Sequence, residues 1–264
     1  MRVINIKSLK PGLQYVNKRE IYLPGIKSVV LLGDNGCRAP TKESITVFSK
    51  ILKIKTDFFI IVGDLVLRGQ GKEFRRLFRF CRKKTRAPIF TLVGNHDLPE
   101  YSKFCGLSTY TLILDNFVIA CLDDSRRHFR DADLAFLKKE LKEHKEKKFI
   151  ILFHIAPPTQ IHLSCIEDSE WQGLKEVLDR LKKRITCIFS GHIHTFNDYR
   201  LDGYRIFITG GGGSALFDLE NDPLKAHHAI KLEFSERSTV AFNAIPIDGK
   251  ITKAAKKYLA MKLK

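Results

Sequence analysis

The side chains best suited to chemistry are oxygen and imidazole donors set at the ends of apolar runs: Asp34, Asp64, Asn95 with His96 and Asp97, His154, and the pair His192 and His194. Oxygen and imidazole without thiolate suit Mn²⁺, Fe²⁺ or Zn²⁺ better than Cu⁺ or an iron–sulfur cluster. A carboxylate can bridge two cations, hold them roughly 3.5–4 Å apart and so permit two-metal activation of a water for in-line attack on phosphorus. Water bound in this way has its pKa lowered toward about 7, which supplies a nucleophile at neutral pH. Taken singly, none of these residues is specific. Gly-Asp is a common turn, and a lone histidine is more often structural. On a regular strand His192 and His194 point to one side and could share a metal.

These residues need a scaffold that ends several strands at one edge. Ser28 to Leu32, Phe58 to Val62 and Pro88 to Val93 read as buried strands, ending in Gly33-Asp34, Gly63-Asp64 and Gly94-Asn95-His96-Asp97. Between them, Ile45, Phe48, Ile51 and Leu52 predict one helix, and Phe74, Leu77, Phe78 and Cys81 a second with Arg and Lys on its other face. This is the layout of an α/β sheet with its site at the carboxyl edge of the strands. Thr109 to Leu114 and Phe117 to Leu122, joined by Asp115-Asn116, predict a hairpin, so the sheet is mixed. Asp131 is read as the N-cap of a helix burying Leu134, Leu137 and Leu141. The strand Phe149 to Phe153 then runs into His154. Asp168 or Ser169 caps a helix with Trp171, Leu174, Leu178 and Leu181 on one face, and Ile185 to Phe189 leads to Ser190-Gly191-His192-Ile193-His194. Tyr199 to Leu201, Tyr204 to Thr209, Ala229 to Phe234 and Thr239 to Ile245 predict short strands, with Asp202-Gly203 a hairpin turn. The tail from Ile251 is expected to be a short basic amphipathic helix or a frayed end.

The 264 residues show no repeat, linker or domain boundary, so one domain over 1–264 is expected, with a core from about 28 to 245 and an extension at each end. No apolar stretch approaches the roughly 20 residues that span a bilayer. Residues 1–10 alternate apolar and basic types unlike a secretory signal, and Cys37, Cys81, Cys105, Cys121, Cys165 and Cys187 form no Cys-x-x-Cys pair. A cytoplasmic protein with reduced thiols is expected. The 46 Lys and Arg against 29 Asp and Glu give a formal net charge of +17, a field that attracts phosphorylated substrates, nucleic acid or acidic headgroups. The basic residues are spread over helices without interleaved aromatics, which disfavours a single-strand binding groove.

Together, Gly63-Asp64, Gly94-Asn95-His96-Asp97, His154 and Gly191-His192-Ile193-His194 resemble the calcineurin-like metallophosphoesterase superfamily, from about Val29 to Phe234. The resemblance implies an αββα sandwich, two mixed sheets face to face with helices outside, and a dinuclear site at the strand ends. It makes Asp64 the bridging ligand, Asp34 and His194 the rest of one site, and Asn95, His154 and His192 the rest of the other. His96 would protonate the leaving oxygen, with Asp97 tuning it. Arg68 matches the arginine that grips phosphate in the protein phosphatase branch, an ordinary surface arginine being the alternative. Leu122-Asp123-Asp124-Ser125, the glycines 210–213 and His227-His228 are closer to bacterial phosphodiesterase and acid-phosphatase-like members.

The chain departs from the superfamily pattern at two positions. Gly36 stands where most members have a histidine, and Leu67 where purple-acid-type members place a tyrosine, so the first metal site could be weak or empty. Asn35 is either a substitute ligand or a turn residue. The glycines 210–213 could cradle phosphate, although close passage of the chain past the site explains them better. The expected activity is hydrolysis of a phosphomonoester or phosphodiester. A non-catalytic interaction module and a nucleic-acid-processing nuclease are the alternatives, and the sequence says nothing about oligomeric state.

Overall fold

A computed structural model describes residues 5–35, 41–219, 222–224, 226–248, 256, 258 and 261–263. The uninterrupted apolar runs form strands because they are buried on both faces, which suits parallel strands inside a layered fold. Five of them build the near half of the first sheet: β1 (Gly12–Leu13), β3 (Ser28–Leu32), β4 (Phe58–Val62) and β5 (Pro88–Leu92) are parallel in the order β1, β5, β4, β3, and β12 (His228–Phe234) joins β3 antiparallel. Beyond β12 come β13 (Val240–Pro246) and β14 (Met261–Leu263), both antiparallel.

The second sheet runs β10 (Phe196–Leu201), β11 (Tyr204–Thr209), β9 (Ile185–Ser190), β8 (Lys148–Leu152), β7 (Phe117–Cys121), β6 (Tyr110–Ile113), β2 (Glu20–Tyr22). Its two hairpins, β6 with β7 and β10 with β11, are antiparallel and the remaining pairs parallel. Asp202 and Gly203 both take positive φ in the second hairpin, the left-handed pair that a tight two-residue turn requires.

The four layers follow from where the apolar side chains go. Val29, Leu31, Phe58 and Ile60 of the first sheet meet Leu112, Ile119, Ile150, Phe189 and Phe207 of the second in one buried cluster between the sheets. Alternate residues Val30, Leu32, Phe59 and Ile61 pack outward in one cluster with α1 (Lys42–Ile51), α2 (Gly71–Lys84) and the short α3 (Tyr101–Cys105). Val118, Ala120, Phe149 and Ile151 pack on α4 (Asp131–Glu143) and α5 (Asp168–Asp179). No helix among the described residues is long and apolar enough to cross a membrane.

Several expectations change in detail. Ile45 is 45% exposed, and Ser44 and Val47 take its place on the buried face of α1. Arg130 and Glu167 occupy the cap positions of α4 and α5, one residue before the acids expected there. In the described part of the tail, Lys256 and Tyr258 are in 3-10 helical conformation and Met261–Leu263 is an edge strand; Ile251 with most of the remaining tail lies outside the described residues. The strands β1 and β2 are too short for alternation to show.

The second sheet also buries a carboxyl group. Glu140 of α4 has no exposed surface, its Oε2 accepts from Thr111 Oγ1 at 2.8 Å, and its Oε1 has no hydrogen-bond donor, with Lys139 Nζ 3.9 Å away. Burial, reinforced by Glu20 and Glu143 and opposed by Thr111 and Lys139, pushes its pKa from 4.5 up to about 7. The folded chain therefore holds this proton more tightly than the unfolded one, and the group's contribution to stability is lost as pH rises from about 4.5 through 7. Glu140→Gln should reduce the fall in unfolding free energy between pH 5 and pH 8 by on the order of 1 kcal/mol in urea titrations. Parallel pH profiles for wild type and variant would refute this account of Glu140.

Candidate metal centre

All the strand ends named above converge on one side of the sandwich. Asp34 and Asp64 follow β3 and β4 through Gly33 and Gly63; the two aspartates take positive φ and are buried, at 0% and 1% exposure. The left-handed turn lets each carboxyl swing back across its own strand end, a conformation asparagine and aspartate tolerate better than most residues. Asp64 Oδ1 accepts from the His96 amide at 3.1 Å and lies 3.3 Å from His154 Nε2. Asn95 Oδ1 is 3.2 Å from the same His154 nitrogen. Asp34 Oδ2 accepts from the His192 amide at 2.9 Å, and its Oδ1 is 3.5 Å from His194 Nε2. Ligand atoms of Asp64, His154 and His192 lie within 4.8 Å of one another.

The imidazoles are held from behind. Nδ1 donates to a main-chain carbonyl in His96 (Leu67, 3.0 Å), His154 (Val62, 2.9 Å) and His194 (Ala215, 2.9 Å). That bond selects the tautomer and turns Nε2, with its lone pair, toward the site. His192 is reversed. Its Nε2 meets Ser164 Oγ at 2.7 Å, and its Nδ1 has no hydrogen bond among the described residues.

The electrostatics call for cations. Asp34 Oδ1 and Asp64 Oδ2 are buried with no hydrogen-bond donor among the described residues, a costly state for carboxylate oxygens unless positive charge stands beside them. Burial alone would lower the pKa of His154, yet Asp64, Asp34 and Asp124 outweigh it and push it up to about 10. His194 is likewise raised against its burial by Asp34. Burial tends to raise Asp64, but His154 and His96 hold it below the usual carboxylate range, whereas for Asp34 burial prevails and the pKa rises. Burial and the neighbouring His154 take His192 down to about 3. The carboxylates thus favour the protonated form of both imidazoles. Divalent ions at the unmet oxygens would supply that positive charge and free the imidazole lone pairs, so the donor set fits a metal.

Two expectations are revised by these contacts. Asp97 does not touch the His96 ring: its Oδ1 accepts from the Leu65 and Val66 amides at 2.8 and 3.0 Å and its Oδ2 from Gly94 at 2.8 Å, tying the Asp64 loop to the Asn95 loop. The ring is held by the Leu67 carbonyl, so position 67 serves the site through its backbone. Arg68 is exposed, its amide donates to Glu73, and its guanidinium has no partner among the described residues. Asn35 Nδ2 reaches Leu65 O at 3.4 Å, and its buried Oδ1 has no donor among the described residues. Gly36 lies outside the described residues.

Asp124, Ser164 and Arg127 were not anticipated as site residues. Both Asp124 oxygens accept amides, from His154 and Ile155, at 2.8 Å each. Leu122-Asp123-Asp124-Ser125 had marked only a resemblance, and the other two sit in loops with no pattern to find. The glycines 210–213 behave as the tight passage expected: a Cβ at Gly210, Gly211 or Gly212 would collide with Ile193 O, the His228 ring or Gly33 O.

Gly94 is under the same constraint, since a Cβ there would strike Asp64 N and Oδ1. Gly94→Ala should therefore displace Asp64 and weaken metal binding by about ten- to hundredfold, the usual scale for disturbed ligand support, with the far-ultraviolet circular dichroism unchanged. Metal affinity measured by competition with a chelating dye checks this, and wild-type affinity in the variant would contradict it.

The model of the calcineurin-like phosphoesterase family matches residues 27–196. No curated protein sequence matches the chain. Among solved structures, purple acid phosphatase PPD1 from yellow lupin (Lupinus luteus) seeds superposes with a TM-score of 0.68 at 16% identity, over 86% of this chain and 53% of that one. The chain thus spans about half the length of the lupin protein. A dimetal phosphatase from Danio rerio gives a TM-score of 0.64 at 10% identity, over 90% of this chain and 99% of that one. GAP50, described as the anchor in the inner membrane complex of Plasmodium, gives 0.66 at 13%, over 90% and 89%. At such identities these likenesses establish the fold. The family match is of another kind, because it covers more than half of the chain and encloses every residue assembled here from Asp34 to His194: this protein belongs to the calcineurin-like phosphoesterase family.

Proposed function

We propose that this chain hydrolyses a phosphomonoester or phosphodiester at a dinuclear metal site made by Asp34, Asp64, Asn95, His154, His192 and His194. The observation that carries this reading is the pair of buried carboxylate oxygens, Asp34 Oδ1 and Asp64 Oδ2, left without donors beside imidazoles whose far nitrogens are already bonded. Asp64 would be shared by the two ions, with Asp34 and His194 holding one and Asn95, His154 and His192 the other. Mn²⁺, Fe²⁺ or Zn²⁺ bound there supplies Lewis acidity to a phosphoryl oxygen and lowers the pKa of water.

The remaining work falls to the protein's own groups. The His96 amide fixes Asp64, and its ring, anchored through Nδ1 on Leu67, turns Nε2 to the site, where the doubly protonated ring can give its Nε2 proton to the leaving oxygen. Asp97 keeps the two loops in register from below. Asn35, with its unmet Oδ1, is the neutral group available to the Asp34 side. The five described cysteines are free thiols, four of them buried, which suits a single-domain protein in the reducing cytoplasm.

Purified protein supplied with Mn²⁺ should hydrolyse a chromogenic aryl phosphate or its diester. His96→Ala should lower kcat by about 10²–10⁴ with metal content retained, and Asp64→Ala should lose both metal and activity. No turnover with Mn²⁺, Fe²⁺ or Zn²⁺, together with no bound metal, would instead favour the fold as an interaction module. Nucleic acid as substrate would show as binding that weakens steeply with salt.

A further inference from the structure

A guanidinium stands at the rim of the site beside His192 that the metal-centre reading leaves unused. Arg127 ends the turn after β7, where its amide donates to Asp124 O at 2.7 Å and its φ is +60°. The carboxylate of Asp124 holds the amides of His154 and Ile155, so the turn is fastened directly to one candidate ligand. The side chain crosses to another. One terminal nitrogen donates to Cys165 O at 2.7 Å; the other donates to Ser164 Oγ at 2.9 Å and lies 3.4 Å from His192 Nε2. Although exposed, the group is thus pinned in place, and it forms no ion pair with a carboxylate among the described residues.

We propose that Arg127 is the residue that grips the substrate phosphate, and that its charge selects a terminal phosphate, a dianion, over a diester. This rests on the phosphoesterase reading above. A guanidinium carries five N–H donors in a planar fork, and the contacts with Cys165 and Ser164 leave Nε–H and outward N–H groups to pair with nonbridging phosphoryl oxygens. Preorganisation by two fixed acceptors reduces the entropy lost when it binds an anion. Its place next to His192 puts that fork at the edge of the proposed metal pair, where a phosphoryl group would sit. Arg68, the residue that the family resemblance suggests for this task, contacts none of the candidate ligands.

Two measurements on the Mn²⁺-loaded protein test the assignment: binding of inorganic phosphate by titration calorimetry, and hydrolysis of an aryl phosphate and its diester. Arg127→Ala should weaken phosphate binding and raise KM for the monoester by about ten- to hundredfold, the scale of a charged hydrogen-bond pair. Its kcat and metal content should stay near wild type, KM for the diester should change less, and Arg127→Lys should recover part of the loss. If wild type binds phosphate in an Arg127-dependent way yet turns over no ester, this assignment stands and the hydrolytic reading fails. Three results would overturn the assignment: unchanged phosphate binding and KM in Arg127→Ala, a loss of metal and kcat pointing to an indirect effect through Ser164 and His192, or Arg68→Ala producing the shift instead.

Discussion

Two carboxylates, Asp34 and Asp64, are buried at the ends of adjacent parallel strands with one oxygen each unmet. A dry carboxylate is tolerable only beside positive charge, so this pair imposes a demand that the surrounding structure must answer. Two imidazoles, His154 and His194, answer it from the second sheet, while His192 and the Asn95 amide bring neutral donors beside them. The sandwich matters for function because it brings the carboxyl ends of both sheets to one side, where residues more than a hundred positions apart face the same oxygens.

Around that demand lies a shell made largely of backbone. Carbonyls of Val62, Leu67 and Ala215 orient three imidazoles, while Asp97 and Asp124 hold amides of the loops that carry the ligands. Both of these aspartates are fully buried, and burial raises the pKa of each, to about 7 for Asp124. Their role is mechanical, and it has the same logic as the ligands: a buried oxygen acceptor fixes whatever donates to it. Gly94 and the glycines 210–212 are small for the same reason, since the loops pass too close for a Cβ.

The outer part of the site is built differently. Ser164 and Arg127 come from loops joined by side-chain and carbonyl contacts over an exposed rim. Such loops vary in related folds while the buried ligands carry the chemistry. On the proposed reading, reaction type is set in the interior and substrate preference at the margin.

The sequence by itself determined the main strands and marked the candidate ligands at their ends. Apolar runs ending in Gly-Asp, Gly-Asn-His-Asp and Gly-His-x-His are local patterns, and a buried parallel strand is recognisable from its own composition. The layered architecture and its metal chemistry followed from the order of those patterns, through resemblance. Tertiary structure decided what depends on partners distant in the chain. It moved Ile45 out of the core, added β1, β2 and β14 as short edge strands, gave Asp97 to three amides, and joined Arg127 to Ser164 and His192. None of these had a local signature, because a hydrogen bond across 30 to 160 residues is a property of how sheets and loops pack, and periodicity along the chain carries no record of it.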